Sequence, residues 1–390
     1  MKKFTGKSLT RRNWRSTSLA AALLTWTIGL SRAADIVWTN TAGGNWNVAA
    51  NWSPNLAPGA SDNAFITNSG NYTVTLNVTA TVLGLRVGGA SGQQTLSVGG
   101  NTLTLNDSSD FNTNTILTLN GGALTGGGTV TVNGTMNWEG GYLTGSGVTV
   151  IGSNSVVNLT GPNTKYLYQR TVNNYGTVNW SGVGSIWAEL GAVFNNQAGA
   201  LFDAQNDANC VGAMTFNNAG TLRKSAGAGT TVVQMPVNNT GTVEVQSGTL
   251  YLNGGGVSSG VFTVSSNRTL AFGGAAHTLS AAVSLSGAGS VLIAGTFTNL
   301  GTYDIGGSTT VRADAALGGT VLNVGSALVV DAGYLMIIPN LTVNGTVTLG
   351  GVSSDGNLGG SGTLTINGVL NWTRGYLPGS GVTVIGATAW

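Results

Sequence analysis

One cysteine, one histidine, six prolines and 7% charged residues are a sparse inventory for a chain of 390 residues. Cys210 alone excludes an internal disulfide framework, and His277 alone excludes a histidine-based metal cluster or a multi-histidine relay. Cys210 has no partner thiol, so a small core residue is the simpler account than a nucleophile. Charge is scarce and also unevenly placed. Lys2, Lys3, Lys7, Arg11, Arg12, Arg15 and Arg32 crowd the N-terminus, leaving 8 basic and 13 acidic residues beyond it, a balance of 8 − 13 = −5. A mildly acidic surface gives no electrostatic footprint for nucleic acid, and that partner class is set aside.

No stretch after residue 33 has an apolar 3.6-residue stripe with helical start and stop chemistry. Residues 1–33 instead read as a secretory signal. A basic region precedes the apolar run Leu19 to Leu30, and Ser31-Arg32-Ala33 offers small residues for cleavage after Ala33. Arg11-Arg12 carries a faint twin-arginine flavour, but an ordinary export signal accounts for it. Twelve apolar-dominated residues are too few to span a bilayer. The mature chain is therefore expected to be secreted or at the cell surface, with no transmembrane helix.

What the sequence has in abundance is glycine, 63 in all, with no G-X-Y register, beside β-branched residues and asparagine. From Thr171 to Val243 one phrase returns four times: Val172-Asn173-Asn174, Phe194-Asn195-Asn196, Phe216-Asn217-Asn218 and Val237-Asn238-Asn239. Each is followed by a glycine (Gly176, Gly199, Gly220, Gly241) and a strand-like run. The second asparagines sit at positions 174, 196, 218 and 239, at intervals of 22, 22 and 21. A fixed period near twenty is the mark of a solenoid, and the strand composition makes it an all-β one. The expected fold is a right-handed parallel β-helix of about 20–22 residues per coil. Equivalent residues then stack, so Asn174, Asn196, Asn218 and Asn239 should form a ladder at one corner, with Val178, Leu222 and Val243 in an inward stack.

Three regions follow: the signal at 1–33, a tryptophan-rich cap at 34–67 and the β-helix at 68–390. In the cap, Trp38, Trp46 and Trp52 serve either to plug the open end of the core or to stack on a sugar; plugging is the simpler account. Strands are expected at Tyr72–Leu76, Val82–Val87, Thr95–Val98, Thr102–Leu105, Ile116–Leu119 and Val148–Ile151. A longer repeat is laid over the coils. The segment 122–152 matches 356–386 at an offset of 356 − 122 = 234, with 21 identities in 31, which implies a cassette of about eleven coils. The second copy, beginning near 356, is cut off at Trp390, so the natural protein is expected to be longer.

Chemistry has few candidates. Asp203 and Asp207, with Glu189 about one coil earlier, are the best carboxylate group; four apart in a strand, they would share a face and serve as an acid/base pair or a Ca²⁺ site. An exposed polar loop is the plainer explanation. Asp107 to Asp110 is a similar loop. No catalytic, cofactor or metal residue is assigned and no cofactor is expected. The repeated N-W-x-x-G-Y-L gives the ligand-binding candidates Trp138 with Tyr142 and Trp372 with Tyr376, as an aromatic shelf for glycan, with the tryptophans as core filler the simpler alternative. The T-x-T strings do not recur at every coil, which argues against an ice-matching array.

The opening V-W-x-N…G-N-W-N…A-N-W-S…P-G…D-N-A, from Val37 to Ala64, resembles the leader of large secreted bacterial proteins built of β-strand repeats, including autotransporter-like passenger domains. The F-N-N-x-G-T phrases and G-T-V-T-V-N-G-x-x-N-W look like the same group, similar in architecture to filamentous-haemagglutinin-type adhesins. The resemblance implies a surface or secreted rod acting as adhesin, stalk or matrix component, with glycans or host and matrix surfaces as partners. A polysaccharide-degrading β-helix enzyme, lyase or hydrolase, is the alternative.

Overall fold

The computed structural model describes residues 1–3, 6, 33–351 and 354–386, so the leader expected over residues 1–33 lies almost wholly outside the described residues. The described residues from 33 onward form one compact unit. Its described residues fold into 47 short strands and one 3₁₀ turn at Ala49–Asn51. Among the described residues no helix is long and apolar enough to cross a membrane.

The strands wind into about fifteen stacked parallel coils, a parallel β-helix. Each coil contributes to three faces. Lys165–Tyr168, Ile186–Glu189 and Asn209–Gly212 follow one another on the first. Thr171–Asn174, Val193–Asn196 and Thr215–Asn218 do so on the second. Thr177–Trp180, Leu201–Ala204 and Thr221–Lys224 do so on the third. At the usual inter-strand spacing, about fifteen coils span roughly 70 Å. Coil length is not constant. On the second face the step between paired positions is 317 − 299 = 18 from Asn299 to Leu317, but 111 − 87 = 24 from Val87 to Phe111. The variation is absorbed in the corners, while the strands stay in register.

Alternation decides what lies inside. Thr177–Trp180 has its second and fourth residues buried, and Tyr72–Leu76 its first, third and fifth. The inward column Val178, Phe202, Leu222, Val243 and Phe262 runs unbroken down the third face. Phe194 and Phe216 stack at 5.1 Å, and Phe202 meets both edge-on. At the N-terminal end Trp38, Trp46 and Trp52 are buried and pack edge to face, with the Trp52 indole N–H donating to the Trp46 carbonyl at 2.7 Å. The run Val82–Val87 is not the single strand its composition predicts. Val82 and Leu85 both point inward, an odd spacing that a straight strand cannot satisfy, so the chain turns a corner between Ala80–Val82 and Gly84–Val87.

The asparagine doublets build two ladders, one on each side of the second face. Inside, each Nδ2 donates forward to the next Oδ1, Asn174 to Asn196 to Asn218 to Asn239, at 2.8 Å every time. The second hydrogen of Asn196 and of Asn218 goes to a main-chain carbonyl in the third-face strand of the next coil, Thr221 and Thr242 respectively. All four residues are buried. Outside, the direction reverses: Asn195 donates to Asn173, Asn217 to Asn195 and Asn238 to Asn217, at 2.8 to 3.0 Å. Of the glycines that follow, Gly199 is required by its positive φ of 83°, and the other three have a steric cause. A Cβ on Gly220 or Gly241 would run into the main chain of the coil before it, at Ala200 and at Gly220 respectively.

Three coils beyond Asn239, through Ser258 and Leu279, the same inward position holds Asn299. Its neighbours in the column are Leu279 and Leu317, so it has no ladder partner. Nδ2 donates to the Gly301 carbonyl, whereas Oδ1 is buried without a hydrogen bond.

The long repeat does not return to the same place. Val130–Val132 lies in the second-face column, whereas its counterpart within Thr363–Ile366 lies in the third. Thr135–Trp138 is on the third face, and its counterpart Leu370–Trp372 is on the first. The sequence offset of the repeat therefore corresponds to eleven coils and one further face. The pattern in these strands sets which side chains point inward but not which face they join.

The two kinds of buried asparagine predict opposite responses. Asn218→Leu removes the Nδ2 donor to Asn239 Oδ1 and one acceptor of Asn196, and should cost about 2–4 kcal/mol. Asn299→Leu removes an unpaired buried oxygen, and should leave stability unchanged or raise it by about 1 kcal/mol. Thermal and urea melts of the two variants check this; equal losses would contradict the ladder account.

Candidate functional site

Asp203 lies in the strand Leu201–Ala204, but Asp207 lies beyond its end, so the two do not share a strand face. Each is engaged by a cation of the following coil. Arg223 donates to Asp203 through Nε at 3.2 Å and a terminal nitrogen at 2.9 Å. Lys224 donates to Asp207 at 2.9 Å, and its buried ammonium also bonds the Asn206 and Ala226 carbonyls and the Thr231 hydroxyl. Burial alone would raise the Asp203 carboxyl. Hydrogen bonds from Arg223, Gln205 and Ser225, with the Arg223 charge, bring it below its ordinary value instead. The Lys224 hydrogen bond does the same for Asp207, outweighing its burial. The acid/base alternative thus gives way to two separate ion pairs. Of the segment Asp107 to Asp110, expected as a loop, Asp110 lies in the strand Ser109–Phe111, in register with Arg86 and paired with it at 3.8 Å. Among the described residues, no group of three or more His, Cys, Asp or Glu side chains is placed to hold a metal ion.

Cys210 and His277 both face the interior. Burial pushes the Cys210 thiol up to about 12, which removes the thiolate at neutral pH. His277 packs edge-on against Phe272, and burial holds its imidazole below the ordinary value.

The tryptophan–tyrosine candidates separate. Trp138 is buried, with its indole N–H on the Gly141 carbonyl, so it is core and not half of a shelf. The reason is parity: Trp138 shares the inward column with Leu119 and Leu159. Trp372 makes the same bond, to Gly375, and lies in register with the inward Leu349; in this last described coil it is exposed, as is Tyr376 on a neighbouring face.

Tyr142 points outward, and it has company. It is in register with Tyr166 on the next coil, which is in register with Trp187 on the one after. The Tyr142 and Tyr166 rings stack at 4.5 Å, 13° from parallel. Tyr168, two residues along the same strand, meets both edge-on at 5.8 and 5.7 Å. Trp187 is 41% exposed and donates its indole N–H to Glu189 at 2.7 Å. Partial burial, the Glu189 charge and the two neighbouring tyrosines keep the Tyr168 phenol above its ordinary value, so at neutral pH it is an un-ionised donor. The result is an outward aromatic strip crossing three coils of the first face. Tyr166, Tyr168 and Trp187 were missed in the sequence. The available signal was spacing: the steps from 142 to 166 and from 166 to 187 are each close to one coil, and each residue sits in an alternating run.

Behind the strip lie two buried cations. Arg170 bonds the Thr149 hydroxyl and the carbonyls of Gly126, Gly128, Thr144 and Val148, stitching its own coil to the two before it. Lys165 donates to the Gly161 carbonyl at 3.2 Å. Burial lowers its ammonium to about 8, against the pull of Glu139.

Compared with known protein families, curated proteins and solved structures, this chain matches none.

Lys165 gives a pH test. Its folded pKa lies below the unfolded value, so the unfolded state binds more protons between about 8 and 10.5 and stability rises with pH there. Cys210 acts in the opposite sense above about 9, because only the unfolded thiol ionises. Melting temperature should therefore climb from pH 8 to 9 and then level. Lys165→Met should melt higher than the parent at pH 7 and lose that climb. A lower melting temperature at pH 7 would show that the ammonium stabilises the coil.

Proposed function

We propose that this chain is an exported, non-enzymatic surface or extracellular β-helix whose work is reach, adhesion or matrix structure. The observation that carries the proposal is where its ionisable groups are engaged. Nine of the thirteen carboxylates bond a group in an adjoining coil, and the five ion pairs among the described residues all join neighbouring coils. Carboxylates in a glycan-cleaving site must converge on one bond with their charges free to exchange protons. Here they act as fasteners along a stack. The basic, apolar N-terminal segment supports export. The resemblance of the Val37 to Ala64 segment and of the asparagine phrases to secreted β-strand-repeat proteins supports the same placement.

The competing activity is cleavage of polysaccharide. Purified protein incubated with neutral and uronate polysaccharides should generate no new reducing or unsaturated ends. Asp203→Asn and Asp207→Asn should each lower the melting temperature, with Asp203→Asn costing roughly 2–4 kcal/mol because it strands a largely covered Arg223 interaction. Turnover of any polysaccharide that either substitution abolishes without changing stability would replace this reading with an enzymatic one.

A further inference from the structure

We infer that the strip formed by Tyr142, Tyr166, Tyr168 and Trp187 is a binding platform for an extended, uncharged β-linked pyranose chain lying along the stack axis. The inference rests on the adhesive reading above and names its ligand class. Three observations carry it. First, aromatic side chains of this size are normally drawn inward, and this protein has buried places for them, as Trp180, Phe202 and Phe216 show. On the first face they instead stand outward in register on three consecutive coils.

Second, the spacing suits the ligand. Successive coils are about 4.8 Å apart. That is close to the advance per sugar in an extended β-1,4-linked chain, so one pyranose would meet one aromatic rung per coil. The axial C–H face of a pyranose is apolar and slightly positive and complements the negative face of an aromatic ring. Tyr142 and Tyr166 turn these faces toward each other, so at those two coils the sugar meets ring edges. Trp187, fixed by its bond to Glu189, offers the largest such surface. Tyr168 supplies a neutral hydroxyl for the sugar's own hydroxyls.

Third, charge sets the class. Glu139 lies at the corner just before the strand that carries Tyr142, and Glu189 lies beside Tyr168 and Trp187. The nearest cations, Lys165 and Arg170, are buried and face the interior. A polyuronate or sulfated chain would set its anions against the glutamates, whereas a neutral or N-acetylated chain would not.

The test measures binding of the purified full chain to cellohexaose and chitohexaose, with oligogalacturonate and a maltohexaose control, by calorimetry and affinity electrophoresis. One or both β-1,4-linked neutral hexasaccharides should bind, with little dependence on salt. The two arms tell a glucan from an N-acetylglucosamine polymer. Trp187→Ala and Tyr166→Ala should each weaken that binding about tenfold or more, the loss of roughly one aromatic contact. Both variants should keep the parent far-ultraviolet spectrum, since these side chains lie outside the core. Trp187→Ala should keep the parent melting profile, whereas Tyr166→Ala, which loses its stack on Tyr142, should melt slightly lower. Met336→Ala, outward and distant in sequence, should bind as the parent does. Glu139→Gln with Glu189→Gln should narrow the preference for neutral over uronate chains. The inference is overturned if neither neutral β-linked ligand binds, if the aromatic variants bind as well as the parent, or if oligogalacturonate or maltohexaose binds better. Those outcomes leave the wider scaffold reading standing, because that reading depends on the absence of turnover and not on this ligand.

Discussion

In-register stacking of parallel strands puts every side chain directly over its equivalent in the next coil, about 4.8 Å away. That constraint explains most of what is unusual in the composition. Like charges at such a distance repel, so a column of one sign is self-defeating. Charge survives here where the sign alternates between coils, as in the outward run Asp203, Arg223 and Glu244, or in Arg86 with Asp110 and Arg312 with Asp331. Side chains that are their own complements have no such difficulty. An amide carries both donor and acceptor, so asparagine repeats indefinitely; aromatic and aliphatic groups repeat because dispersion does not depend on sign. A chain with few charges and many asparagines, valines and threonines is what this geometry selects.

The ladder shows how narrow the condition is. Asparagine works at the inward corner only with asparagine on at least one side, because a buried amide has to find both kinds of partner. Asn174, at the head of the inner ladder, turns its Oδ1 to the main-chain N–H of Gly176. Asn299 is isolated between leucines and leaves its Oδ1 without a bond. The same residue in the same column is thus satisfied or frustrated by its neighbours alone. Arg170 is the converse case, a buried guanidinium held by neutral groups. It is tolerated because four carbonyls and a hydroxyl from several turns of the chain converge on it.

These differences account for what could be read in advance. The period was legible at the asparagine doublets because the hydrogen bond demands that particular side chain at every rung. The inward columns were legible because alternation demands only an apolar residue. The aromatic strip was not, since Tyr142, Tyr166 and Trp187 are three outward residues with no chemical need of one another, and corner lengths of different size blur their spacing. For Asp203 and Asp207 the acid/base alternative fails because a count along the chain assumes a straight strand where a corner intervenes, and the plainer exposed loop holds for Asp207 but not for the buried Asp203. Arg170 carries no local signal at all; its partners come from residues 126 to 149, and only the coil geometry gathers them.

The displaced long repeat extends this point from folding to function. Two closely similar segments, 122–152 and 356–386, settle on different faces, so the core accepts the pattern wherever the coil count delivers it. Inward positions are bound by packing and by the inner ladder, whereas outward positions, apart from the outer ladder and the ion pairs, are fixed only in their register with the adjoining coils. A binding surface on such a scaffold requires no pocket and no rearrangement of the core. It requires outward residues of suitable chemistry to fall in register on neighbouring coils. Tyr142, Tyr166 and Trp187 meet that requirement while Leu143, Leu167 and Ala188, the residues beside them, stay buried in the interior. The proposed recognition surface and the core thus draw on alternate residues of the same strands.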